Sequence, residues 1–163
     1  GIKTFEKIHA TLSSITGVSM AQNDVNNTYQ NVKQGLPTVS DVNTFVSAQQ
    51  MAITQLAITY CNELVNDTVL RQNFFPGFSF NSSVNDAFII GDRSLVITPL
   101  YNKTMNINIA TQPTLLEVET ELNNLIDRLT TCSSNNSCAA DRTEIVVKSL
   151  CAATVGNAGM LIQ

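Results

Sequence analysis

Ser40–Val65 reads SDVNTFVSAQQMAITQLAITYCNELV, and this stretch decides the fold. It contains neither Gly nor Pro. Val42, Phe45, Val46, Gln49, Ala52, Ile53, Leu56, Ala57, Tyr60, Cys61 and Leu64 follow the period that returns an α-helix to one face. Thr54, Ile58 and Thr59 widen that face, so the helix touches more than one neighbour and belongs in the middle of a bundle. Ser40 is placed as its N-cap, with Val39 packing back as a hydrophobic staple. The expected fold is all-α: one domain over 1–163, a disulfide-stapled helical bundle of about five to six helices around a long central helix at about 40–65.

Toward the N-terminus, Ile2, Phe5, Ile8, Leu12 and Ile15 form one face of a first helix that Gly17 ends as a C-terminal cap. His9 lies beside this stripe and reads as a filler. A second helix starts from Asn23 or Asp24, lines its inner face with Val25, Tyr29, Val32 and Leu36, and closes at Gly35 and Pro37. Toward the C-terminus, Asp67 caps a short helix, and Phe74-Phe75-Pro76-Gly77-Phe78-Ser79-Phe80 follows with four of the seven phenylalanines. Pro76 and Gly77 force a turn there. Folded inward, the loop is a hydrophobic plug; turned outward, Phe74, Phe75, Phe78 and Phe80 are a partner contact.

After Asn81-Ser82-Ser83, Gly91 divides the chain into a short helix at 84–90 and another at about 92–104, with Pro99 kinking the latter or starting its second half. A hairpin of Leu95–Ile97 against Ile107–Ile109 is the alternative, and 106–112 is extended in either case. Pro113 opens a helix faced by Leu115, Leu116, Val118, Leu122, Leu125, Ile126 and Leu129. The last helix starts near Asp141 and continues through Ala158, Met160 and Leu161, with small residues that allow a close helix approach.

Composition limits function. Only 13% of residues are charged, about half the usual share, so the polar surface is built from neutral amides and hydroxyls. A net charge of −4 without a basic stripe excludes nucleic acid as a partner. No apolar run is long enough for a membrane span, and the sequence from Gly1 onward opens on no charged-then-apolar leader, so any signal peptide is expected to have been removed.

Cys61, Cys132, Cys138 and Cys151 lack zinc-site spacing and read as two disulfides of an oxidising compartment. If Cys132–Cys138 closes a local loop, Cys61–Cys151 staples the central helix to the last one; the swapped connectivities stay open. No cofactor or metal motif is present. One histidine and carboxylates on a solvated helix start (Glu117, Glu119, Glu121) give no nucleophile, dyad or acid–base pair, so the chain reads as non-enzymatic. Gln49, Gln50 and Gln55 are the nearest thing to a polar ligand site, although bonds to neighbouring loops are the preferred account of them. Five Asn-x-Ser/Thr matches, at Asn26, Asn66, Asn81, Asn102 and Asn135, matter only in a host that glycosylates.

Two blocks, QQMAITQLAITYCNELV and KSLCAATVGNAGMLIQ, resemble the C-terminal helical region of bacterial LamG-domain-containing cell-surface proteins. VKQGLPTVSDVNTFVSAQQ fits the same region, so the likeness covers most of the chain. It implies an exported, outer-surface location and an accessory or adhesive role, and it brings no catalytic residue. The β-rich lectin-like part is missing here, which removes the carrier of any carbohydrate-binding inference. The expected function is a non-enzymatic extracellular structural or interaction domain that packs against protein partners, copies of itself among them, as in a surface or filament subunit. The alternative is a carbohydrate or small-ligand binding module using Tyr60, Tyr101 and the central glutamines.

Overall fold

The computed structural model describes residues 3–36, 42–105, 112–132 and 138–157, with 42–46 described by their backbone alone. Every regular element among them is helical: α1 (Phe5–Thr16), α2 (Asn23–Gln34), α3 (Val42–Asn66), α4 (Thr68–Phe74), α5 (Val84–Ala87), α6 (Ser94–Thr104), α7 (Leu115–Thr130) and α8 (Arg142–Val155). The all-α, disulfide-stapled bundle is therefore the fold, with α4 and α5 as short pieces between the longer helices. The staple at Val39 and Ser40, the stop at Pro37, the extended 106–111, and Ala158, Met160 and Leu161 lie outside the described residues.

The 25-residue α3 is the hub, packing on α1, α2, α4 and α8. Its Ile53, Leu56, Ala57, Tyr60, Cys61 and Leu64 have no solvent exposure, which is the broad face that the spacing predicts. A second group, α6, α7 and α8, packs together and meets α3 through α8. Side chains from both groups merge into one buried apolar cluster. Cys61–Cys151, separated by 90 residues, ties α3 to α8 inside that cluster, and Cys132–Cys138 closes the short loop between α7 and α8.

Local chemistry sets the helix ends. Gly17 stops α1 in the left-handed region at φ 75°, with its N–H on the Ser13 carbonyl, a conformation that costs a side-chain-bearing residue most. Asp67 caps α4 by accepting from the amides of Val69 and Leu70, as its position predicts. Elsewhere the caps move. The cap of α2 is Gln22 rather than Asn23 or Asp24: its Oε1 accepts from Val25 N at 2.9 Å while its Nε2 donates to Glu63. Pro113 stays outside α7, because Thr114 and Glu117 form a reciprocal capping box.

The helix expected at 84–90 ends at Ala87, and turns carry the chain from there into α6. This lets Phe88 turn into the core while Ile89 and Ile90 turn out. The Leu95–Ile97 segment of the hairpin alternative lies inside α6, Pro99 included; its proposed partner strand is outside the described residues.

The phenylalanine loop is a plug. Phe74, Phe75, Phe78 and Phe80 are all buried, so they do not form an exposed partner patch. Two features of the sequence explain why. The turn at Gly77 (φ 83°) folds the segment back on itself, so that Phe78 meets Phe80 edge-on at 4.9 Å and Phe75 lies 6.0 Å from Phe80. Arg71 then covers Phe80, its guanidinium 4.7 Å from the ring centre, while Nη1 reaches the Val65 carbonyl and Glu144 on α8.

Candidate functional site

The residues suggested for a ligand site do not converge. Tyr60 is fully buried in the hub, and its hydroxyl lies 2.9 Å from Nδ1 of His9 and 3.3 Å from the His9 carbonyl. Tyr101 is buried on α6 and donates to the Pro113 carbonyl. Gln50 donates from Nε2 to the Gly156 carbonyl at 2.9 Å and so ties α3 to the end of α8, the structural role open to it in the sequence. Gln55 is exposed beside Ile58. Gln49 is buried, and its Oε1 has no hydrogen-bond partner. No group of three or more His, Cys, Asp or Glu able to hold a metal occurs among the described residues.

His9, expected as a partly buried or solvent-facing filler, is buried. α1 turns it into the hub, where its ring stacks on Tyr29 of α2 at 4.1 Å and 10° and lies against Tyr60 of α3. Phe5, one turn earlier, stacks on the same Tyr29 ring at 5.3 Å. Burial holds the His9 imidazole below its ordinary pKa and pushes the Tyr60 hydroxyl up to about 12. Three helices thus meet at one aromatic joint. The sequence signal was available: Phe5 and His9 are four apart on the α1 face, and Tyr29 and Tyr60 sit on the inner faces of the helices that follow.

The second acidic feature is structural too. Burial, then the neighbouring carboxylate of Asp24, raises the Glu63 pKa, and Gln22 Nε2 donates to Glu63 at 2.6 Å. At the start of α7, the Thr114 amide and hydroxyl hold the Glu117 carboxyl below its usual range.

What the surface does carry is exposed apolar side chains. Met51 and Ile58 lie two turns apart on the outer edge of α3, 69% and 44% exposed. Beside them a cleft of about 470 Å³ runs between α2 and α3, lined by Thr28, Asn31, Val32, Gln55, Ile58 and Thr59. The Ile89–Ile90 turn projects further, with Ile90 88% exposed. A separate cleft of about 370 Å³ between α7 and α8 has Val118, Leu122, Leu125 and Ala153 in its lining and Glu117, Glu121 and Arg128 among its polar groups. Sequence reasoning placed Ile58 on the core side of α3 and Ile90 within a helix, and both are turned outward. No helix among the described residues is long and apolar enough to cross a membrane. Comparison with known proteins returns nothing: no family model, no curated protein and no solved structure matches this chain.

Proposed function

We propose that the chain is a non-enzymatic extracellular structural or interaction domain that binds protein partners, copies of itself among them, through its outward apolar side chains. The carrying observation is the outer edge of α3, where Met51 and Ile58 stand exposed beside the α2–α3 cleft on the helix that anchors the whole bundle. An apolar edge on a covalently stapled helix is a rigid platform, and rigid apolar anchors lower the ordering cost of association. The low charge supports the reading, since few ionic groups have to be desolvated when such a surface is covered.

Export follows from the same reading. Two disulfides persist best in an oxidising compartment, and the resemblance to LamG-domain-containing surface proteins supports an outer-surface address. Self-assembly into a surface filament is the concrete form we propose.

Light scattering on the oxidised chain across a wide concentration range tests this. Concentration-dependent association that Met51→Glu and Ile58→Glu abolish, with helical content retained, is the expected result. A monodisperse monomer at high concentration would overturn the self-assembling form, and association indifferent to both substitutions would remove α3 from it.

A further inference from the structure

We infer that His9 is the latch of an acid-released N-terminal helix: taking up a proton at its imidazole frees α1 from α2 and α3 while the disulfide-stapled remainder stays folded. The geometry has three parts. First, the ring is enclosed by groups that accept a neutral imidazole. Tyr29 stacks on it from α2, Tyr60 bonds to it from α3, and Phe5 from α1 itself shares the Tyr29 ring.

Second, among the described residues no ion pair to His9 supplies a counter-charge. Among the described residues no carboxylate bonds to His9. A cation, Lys33 of α2, lies at this stack, its Nζ 5.4 Å from the centre of the Tyr29 ring. Glu6 and Lys7 are solvent-exposed on α1. On α3, Glu63 is engaged with Gln22 and with Asp24 of α2. The hydrogen bonds themselves would accommodate the added proton, because the Tyr60 hydroxyl can turn to the His9 carbonyl and let Nδ1–H donate to its oxygen. The enclosed charge is what the site does not compensate.

Third, the covalent ties leave α1 free to go. Cys61–Cys151 and Cys132–Cys138 both lie after α1 and α2, and α1 is joined to α2 through the left-handed Gly17. Release of α1 would uncover Phe5, Ile8 and Leu12 together with their seats on α2 and α3, all apolar surface that is buried when docked.

The sign is fixed by linkage. Docked His9 holds its proton less well than a solvent-exposed imidazole, so α1 docking is fully supported above about pH 6.5 and weakens as pH falls below it. One differential proton allows up to about a tenfold loss of docked over released population per pH unit in that window.

The chain has one histidine, so its ring signals in a nuclear magnetic resonance titration are unambiguous. The experiment follows them together with amide exchange protection, corrected for intrinsic rate, on the full oxidised chain between pH 7.5 and 5. Protection in α1 should fall by up to about tenfold per unit while α3 and α8 hold theirs, and His9→Gln should flatten the profile. Constant α1 protection, or an equal loss in His9→Gln, overturns the latch. Should that variant not fold, His9→Phe keeps the aromatic stack and serves the same comparison. A wild-type His9 that titrates at 6.5 or above overturns it without any variant.

Discussion

The two disulfides close loops of very different size, and that difference can be measured. Cys61 and Cys151 are 90 residues apart, and Cys132 and Cys138 are 6 apart. In the chain-entropy treatment, opening the long loop should cost about 4.6 kcal/mol and opening the short one about 2.2 kcal/mol, because closure entropy grows with the logarithm of loop length. The perturbations are the double variants Cys61→Ala with Cys151→Ala and Cys132→Ser with Cys138→Ser. For a chain of this size the corresponding drops in Tm are roughly 9–18 °C and roughly 4–9 °C. Urea unfolding at pH 7.5, with helical content read at each step, gives the free energies directly. Access adds an independent order. Cys61 and Cys151 have no solvent exposure while Cys132 and Cys138 are only half-buried, so mild reductant followed by alkylation should label the Cys132–Cys138 pair first. The reasoning fails if the short-loop variant loses as much stability as the long-loop one, or if Cys61 and Cys151 are alkylated first.

Packing and titration give further tests. Phe75→Ala should cost about 3–5 kcal/mol in urea unfolding, since the ring is buried at the centre of the plug, whereas Ile90→Ser should leave stability within about 0.5 kcal/mol. Gly156→Ala would bring a Cβ within 2.7 Å of the Ala152 carbonyl oxygen and 3.3 Å of the Ala57 Cβ. It should therefore push α8 off α3 and cost about 1–3 kcal/mol by thermal unfolding. The Tyr60 hydroxyl, pushed up to about 12, keeps its proton in the folded chain beyond the point where an unfolded tyrosine ionises. The stability it contributes is thus present below about pH 10 and lost as pH rises toward 12; a Tyr60→Phe variant should show a shallower alkaline decline in the same window.

Which parts of this molecule were legible in its sequence follows from how local the determining forces are. The α3 face was legible because Gln49, Ala52, Ile53, Leu56, Ala57, Tyr60, Cys61 and Leu64, all buried, repeat a single period without interruption by Gly or Pro. Gly17 and Asp67 were legible as caps because each acts on its own turn. The cap of α2 was not, since Gln22 is held in place partly by Glu63, which is 41 residues away. The Phe88-Ile89-Ile90 run fits helical spacing as well as turns, and only the burial of Phe88 against Phe78 at 5.2 Å decides which of the three residues faces in. The partners of His9 were not legible for the same reason. Its neighbours in sequence are unremarkable, and its environment is made by Tyr29 and Tyr60, from two other helices.

These long-range choices explain why α3 organises the bundle while its outer edge stays open. One flank meets α2, where Thr28 and Thr59 hydroxyls lie 3.1 Å apart and the aromatic joint lies deeper. The other meets α8 through the Cys61–Cys151 bond and the close approach of Ala57 to Gly156. The first attachment is non-covalent and includes a titratable ring; the second is covalent and insensitive to pH. Met51, Thr54, Gln55 and Ile58 occupy the strip between them and are exposed. A partner seated on that strip would touch the one helix to which both groups are fixed, so its binding would resist separation of α2 from α8 without needing to contact either core. Association through Met51 and Ile58 should therefore slow hydrogen exchange across α3 itself and not only at the contact residues. Protection confined to the Ile89–Ile90 turn would place the interaction elsewhere and refute this account of α3.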